Sequence, residues 1–111
     1  MIVAVADVYA QIPQRKAVQD AMLETELRVR EDPGCVSFVF AEVVADPGHF
    51  LLVQRWRDQA ALDAHYRSAA FADYQEAMRG LLVRDSEIQV HVSDEEFRPV
   101  DFSPLDIEQD D

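Results

Sequence analysis

An α+β domain built as a split βαβ unit is what this sequence predicts, and three observations predict it. Residues 2 to 11 alternate with the period of a strand, while 14 to 30 carry apolar residues at helical spacing. Asp46-Pro47-Gly48 is turn chemistry between two apolar, β-rich runs, so those runs form a hairpin. A second helical stretch and a last alternating run complete the order strand–helix–strand–strand–helix–strand. This is the ferredoxin-like arrangement, with strands one and three central and the helices on one face of the sheet.

In the first strand Ile2, Ala4, Ala6, Val8 and Ala10 share a face small enough for a helix to approach closely. Pro13 suits a first helical position. The helix over 14–30 is amphipathic, with Val18, Ala21, Met22, Thr25 and Val29 on its stripe, widened by Leu23 and Leu27. Asp32-Pro33-Gly34 stops it. Val36 to Ala45 is the second strand and the run from Phe50 to Arg57 the third, the latter ending on Trp56. Asp58 is a good N-cap for the helix that follows, because its carboxylate accepts from free first-turn amides. Ala61, Leu62, His65, Tyr66 and Ala69 recur along that helix, so His65 is off the solvent face. Ser68 to Ala70 breaks the helix, and a further one carries Phe71, Tyr74, Met78, Leu81 and Leu82. Gly80 weakens its end. Ser86 to Phe97 supplies the fourth strand, with Ile88, Val90 and Val92 inward.

A sheet covered by helices on one side only should be polar on the other. Here Val39, Ala41, Val43, Leu51 and Val53 leave no such wet face. Large apolar faces rarely stay exposed, and the simplest cover is the same face of a second copy, a homodimer.

At 111 residues the chain is one domain, read as 1–97 with an acidic, proline-containing tail at 98–111. Twenty-two acids against ten bases give a net charge of −12, a surface that repels nucleic acid and anionic membranes. The tail alternates Val100, Phe102, Leu105 and Ile107 with acids and prolines, and is expected to lie extended across the partner subunit or to fray. One cysteine, Cys35, rules out an internal disulfide and zinc–cysteine sites. Without a signal peptide or membrane span, the expected compartment is the cytoplasm.

Two signals together carry a family resemblance. One is Trp56, then Ala61-Leu62 and Ala64-His65; the other is Asp32-Pro33-Gly34-Cys35 entering a strand. The chain resembles, over residues 1 to about 95, the antibiotic biosynthesis monooxygenase family of the dimeric α+β barrel superfamily. The resemblance implies oxygenation of a small aromatic, quinol or polyketide-like substrate with O2, using neither metal nor flavin. It departs from many members at Ala70, where a second histidine stands in a Ser-Pro-His run. Gln75 stands where the haem-degrading branch of the superfamily has its iron-binding histidine.

Such chemistry needs a dry pocket, a base or hydrogen bond that creates the substrate anion, and donors that hold it. The pocket is expected between sheet and helices. His65 is the candidate base or donor, since its ordinary pKa suits proton transfer near neutrality; a core histidine bonded to backbone is the alternative. Trp56 is the second catalytic candidate, either donating into the pocket or anchoring the core with its N–H on a carbonyl. Tyr66 and Tyr74 are candidate donors to substrate oxygen. Asp7 and Arg55 are further substrate-binding candidates, with the alternative that they pair with each other across neighbouring strands. Cys35 is read as packing. No metal and no cofactor is expected, because His49, His65 and His91 lie on different elements and no phosphate-cradling glycine pattern exists. Two other functions fit the same residues: a non-catalytic small-ligand-binding or accessory homodimer, and an isomerase or lyase of the same superfamily.

Overall fold

The computed structural model describes residues 1–93 together with 97 and 98. Four strands, β1 (Ile2–Tyr9), β2 (Cys35–Glu42), β3 (His49–Trp56) and β4 (Glu87–Val92), form one antiparallel sheet in the order β2-β3-β1-β4. The sheet is open, with β2 and β4 at its edges, so one chain does not close a barrel. Helices α1 (Arg15–Val29), α2 (Gln59–Tyr66) and α3 (Ala69–Met78) complete the α+β, ferredoxin-like order. The tail expected to cross a partner lies outside the described residues. No helix among the described residues is long and apolar enough to cross a membrane.

Strand parity positions everything else. The even residues of β1, from Ile2 to Val8, are all buried: Ile2 and Ala6 share a core cluster with Val29 of α1, Trp56 and Leu62, and Val8 shares another with Val18 and Met22 of α1. Leu23 and Leu27, expected to widen the stripe, are instead 58% and 59% exposed, because one helix against a narrow four-stranded sheet buries a single stripe. At the sheet's other edge Ile88, Val90 and Val92 have the inward parity expected of them, yet are 47%, 44% and 68% exposed. Helix α1 packs against β2 and α2 against β3, while Ile88 borders the space between sheet and α3 instead of a packed helix.

The turns follow their residues. In the β2–β3 hairpin the His49 amide donates to the Asp46 carbonyl, with Pro47 and Gly48 as central residues and Gly48 at φ 85°. At Asp32-Pro33-Gly34 the Cys35 amide donates to the Asp32 carbonyl. A Cβ on Gly34 would sit 2.6 Å from the Ala61 Cβ, so that glycine lets α2 pack directly onto the turn. Asp58 caps α2 by accepting from the Ala61 amide at 2.8 Å, and Ser68 caps α3 by accepting from the Phe71 amide. The break between the two helices is therefore Arg67-Ser68, with Ala69 and Ala70 already helical.

On the sheet's second face Val39, Val53 and Val5 stand opposite one another in a cross-strand row, flanked by Val3 and Leu51. No helix covers this row, and Val39 is 40% exposed.

Candidate functional site

A cavity of about 640 Å³ opens between the inner face of the sheet and the α2–α3 pair. Its floor is Ala6 and Val8 of β1 with Leu52 and Gln54 of β3; its wall is Tyr66, Phe71, Tyr74, Gln75 and Met78. The volume is that of a site for a ligand of a few fused rings. The segment 79–86 also borders it, through Arg79, Arg84 and Asp85 among others. That segment is tied to the end of β1: the Val83 amide donates to the Tyr9 carbonyl, and the Gln11 amide Nε2 donates to the carbonyls of Gly80 and Leu82. Gly80 makes the corner with φ 78°.

Two tyrosines expected at the site do line it. Burial pushes the Tyr74 hydroxyl up to about 12 and raises that of Tyr66, so both stay protonated donors at neutral pH. The Tyr66 hydroxyl is buried and has no hydrogen-bond partner among the described residues. A buried hydroxyl left alone is costly, and such an orphan in a cavity wall is a place for a ligand atom.

The two catalytic candidates stand behind this wall. His65 is 3% exposed, and its ring lies 4.8 Å from that of Trp56 and 5.4 to 5.5 Å from those of Phe71, Phe38 and Tyr66. Removal from water lowers its pKa, with Asp32 pulling weakly the other way, so the ring is held neutral among aromatics. Trp56, fully buried, donates its indole Nε1–H to Oε1 of Gln54 at 2.8 Å. Neither ring is part of the cavity lining. Trp56 instead sets Gln54, which is.

Asp7 and Arg55 lie on the far side of the sheet, because their odd positions on β1 and β3 face away from the helices. The alternative, a pair between them, does not form. The register puts Asp7 opposite Leu51 and Arg55 opposite Val3, too far along the strands to meet. Asp7 instead faces His49 Nε2 at 2.7 Å, and His49 Nδ1 lies 3.2 Å from Asp46. Tyr9 stacks on His49, and the Arg84 guanidinium covers the Tyr9 ring at 3.7 Å. Arg55 donates to the Ser37 hydroxyl. Cys35 is partly buried against the core, and burial raises its thiol pKa. No group of three histidine, cysteine or carboxylate side chains is arranged to hold a metal ion among the described residues.

Sequence reasoning missed Gln54 and the 79–86 segment. Gln54 carried a signal: a polar residue between Leu52 and Trp56 on the inward parity of a central strand must have a buried partner or a ligand. The segment carried none, since its place depends on long-range bonds to β1.

Comparison with known proteins agrees with this fold. The family model of antibiotic biosynthesis monooxygenase matches residues 1–77. The uncharacterised protein sll1783 of Synechocystis sp. is 32% identical over 80 residues, which cover 71% of this chain and 54% of that protein. The chain thus spans about half the length of this curated relative. A crystal structure of an antibiotic biosynthesis monooxygenase superposes with a TM-score of 0.79 at 22% identity, covering 84% of this chain and 98% of that one. Rv0793 from Mycobacterium tuberculosis superposes with a TM-score of 0.79 at 24% identity, covering 86% and 96%. Those two likenesses concern the fold.

Proposed function

The chain belongs to the antibiotic biosynthesis monooxygenase family, and from that premise we propose that its cavity binds a small aromatic phenol, quinol or polyketide-like molecule and oxygenates it with O2 alone. The observation that carries this reading is the partnerless Tyr66 hydroxyl in the wall of an aromatic cavity of ligand size.

For a substrate with an activated ring CH2 the reaction balances without an added reductant. The C–H proton passes to solvent, the carbanion gives an electron to O2, the two radicals join as a peroxide anion, and a proton taken back from solvent makes it the hydroperoxide. Loss of water then leaves a ring carbonyl. One oxygen atom ends in the product and one in water, and all four electrons come from the substrate. The chain's part is to bind the ring against Phe71 and Tyr74, keep water away, and donate to the oxygen on which negative charge collects. His65, neutral and behind the wall, acts through Trp56 and Tyr66 as a positioning residue.

The working form in this proposal is a homodimer joined through the Val39–Val53–Val5 row, which leaves the cavity of each copy free. A second reading, ligand binding without turnover, is favoured by the burial of His65 away from the cavity, which leaves the wall without an evident strong base.

The test is aerobic against anaerobic consumption of a panel of hydroquinones and anthrones by the full chain. Oxygen-dependent turnover above the autoxidation blank supports the oxygenase. Consumption equal to the blank, with ligand still bound, leaves the binding module.

A further inference from the structure

The uncovered face of the sheet carries its charged strand residues at two opposite ends. Residues paired across strands share a face. At one end the register sets Asp7 of β1 directly opposite Glu87 of β4, and like charges in that relation repel. At the other end Arg55 of β3 and His91 of β4 stand on either side of Val3. The valine row lies between the two ends. On β3 the position opposite Asp7 is Leu51, four residues from Arg55, so about 13 Å separates the acidic end from the basic one. Asp7 has His49 Nε2 within reach, whereas the groups that Arg55 meets, the Ser37 hydroxyl and the Phe97 ring, are uncharged.

We infer that this face takes a second copy of the chain with its strands running the opposite way, so that Asp7 and Glu87 of each copy lie against the partner's Arg55 and the partner's His91. The inference rests on the homodimer proposed above and adds its orientation. A two-fold axis in the plane of the interface can lie across the strands or along them. Laid across them, over the valine row, it reverses the strands and exchanges the two ends, so acid meets base. Laid along them, it sets acid on acid and base on base. Sheets packed face to face are about 10 Å apart, a gap that an arginine and an aspartate bridge from opposite sides. Because such an interface is isologous, each contact occurs twice. The copies carry −12 each and repel overall, so the choice between orientations falls to the charges on the face itself. The pair that the register forbids within one chain thus forms between two. It also selects the partner, since a surface without this two-ended pattern would meet like charge or none.

Sedimentation velocity of the full chain and its variants, over a range of concentrations, reads the dimer dissociation constant. Asp7→Arg adds two positive charges and takes −12 to −10, which by itself relaxes the overall repulsion. It nevertheless sets arginine against the partner's Arg55, and should weaken the dimer about tenfold. Arg55→Glu should also weaken it about tenfold, and more than Lys16→Glu, which makes the same change in net charge on the exposed surface of α1. The double variant Asp7→Arg/Arg55→Glu restores the net charge and exchanges the two partners, so its affinity should return to within about threefold of wild type. Circular dichroism confirms that each variant is folded. Asp7→Arg also breaks the contact with His49; Arg55→Glu leaves it intact and carries the test on its own if the first variant does not fold. A dimeric wild type in which Arg55→Glu costs no more than Lys16→Glu overturns the orientation and leaves the dimer standing. A monomeric wild type overturns both. Neither result bears on the oxygenase reading of the cavity, which the hydroquinone panel tests separately.

Discussion

Replacing Trp56 by Phe removes one buried donor and part of one buried ring, and the structure allows the two losses to be separated. The indole donates to an amide that is itself 1% exposed, so Trp56→Phe leaves the Gln54 oxygen without its partner. A buried acceptor left alone costs about 1–3 kcal/mol. The smaller ring leaves roughly 40 Å³ unfilled, worth about 1 kcal/mol at the usual cost per volume of cavity. Gln54→Leu, close in volume, strands the indole N–H instead and costs about 1–3 kcal/mol for the same reason. The double variant strands neither group and retains the cavity cost of about 1 kcal/mol alone. The two substitutions together should therefore cost less than the sum of their separate effects, by about 2–6 kcal/mol, since both stranding penalties vanish in the double variant. Urea unfolding at one fixed protein concentration measures this, with a common m-value across the four proteins so that midpoints convert to free energies. Additivity within about 0.5 kcal/mol would refute the reasoning, since it would mean that the two side chains do not depend on each other.

Three further outcomes follow from other parts of the structure. The valine row on the uncovered face predicts a dimer at micromolar concentration in sedimentation velocity and a monomer for Val53→Glu; a monomeric wild type would remove the dimer. His65 is held below its ordinary pKa of 6.5, so the unfolded chain binds a proton there that the folded chain refuses. Stability should accordingly fall as the pH drops below about 6.5, and His65→Phe should flatten that part of the curve of unfolding free energy against pH; an unchanged slope would show the ring to be solvated. Gly34→Ala places a methyl 2.6 Å from the Ala61 Cβ and should cost about 1–3 kcal/mol in urea unfolding by pushing α2 off the turn, whereas a cost near zero would mean that the contact gives way freely.

Most of the fold was legible because it depends on quantities with a short period. The alternation of Ile2, Ala4, Ala6 and Val8 sets which face of β1 the helices cover, and Pro47-Gly48 forces the hairpin whatever surrounds it. Caps are equally local, and Asp58 was readable for that reason. What failed was what depends on extent. Periodicity places Ile88 and Val90 on the inner side of the sheet but cannot say that Ile88 borders a cavity instead of a packed helix, and both are exposed. Leu23 and Leu27 failed in the same way, since a stripe's width depends on how much sheet lies beneath it.

The site divides along the same line. Tyr66 and Tyr74 were readable as cavity residues, because helix spacing turns them toward the sheet. Asp7 and Arg55 could have been excluded by parity alone: a strand that buries its even positions sends odd ones to the other side. Trp56 and His65 needed more, since both are on the inward face, and only packing decides whether a buried ring reaches a cavity or stands one layer behind it. The layer matters for packing. An indole behind the wall does not line the cavity, but its N–H holds the Oε1 end of the Gln54 amide, a residue that does. A tryptophan at the end of a central strand is thus compatible with a role in ligand selection even where its ring contacts no ligand, and the residue to follow along that strand is the polar one two positions before it.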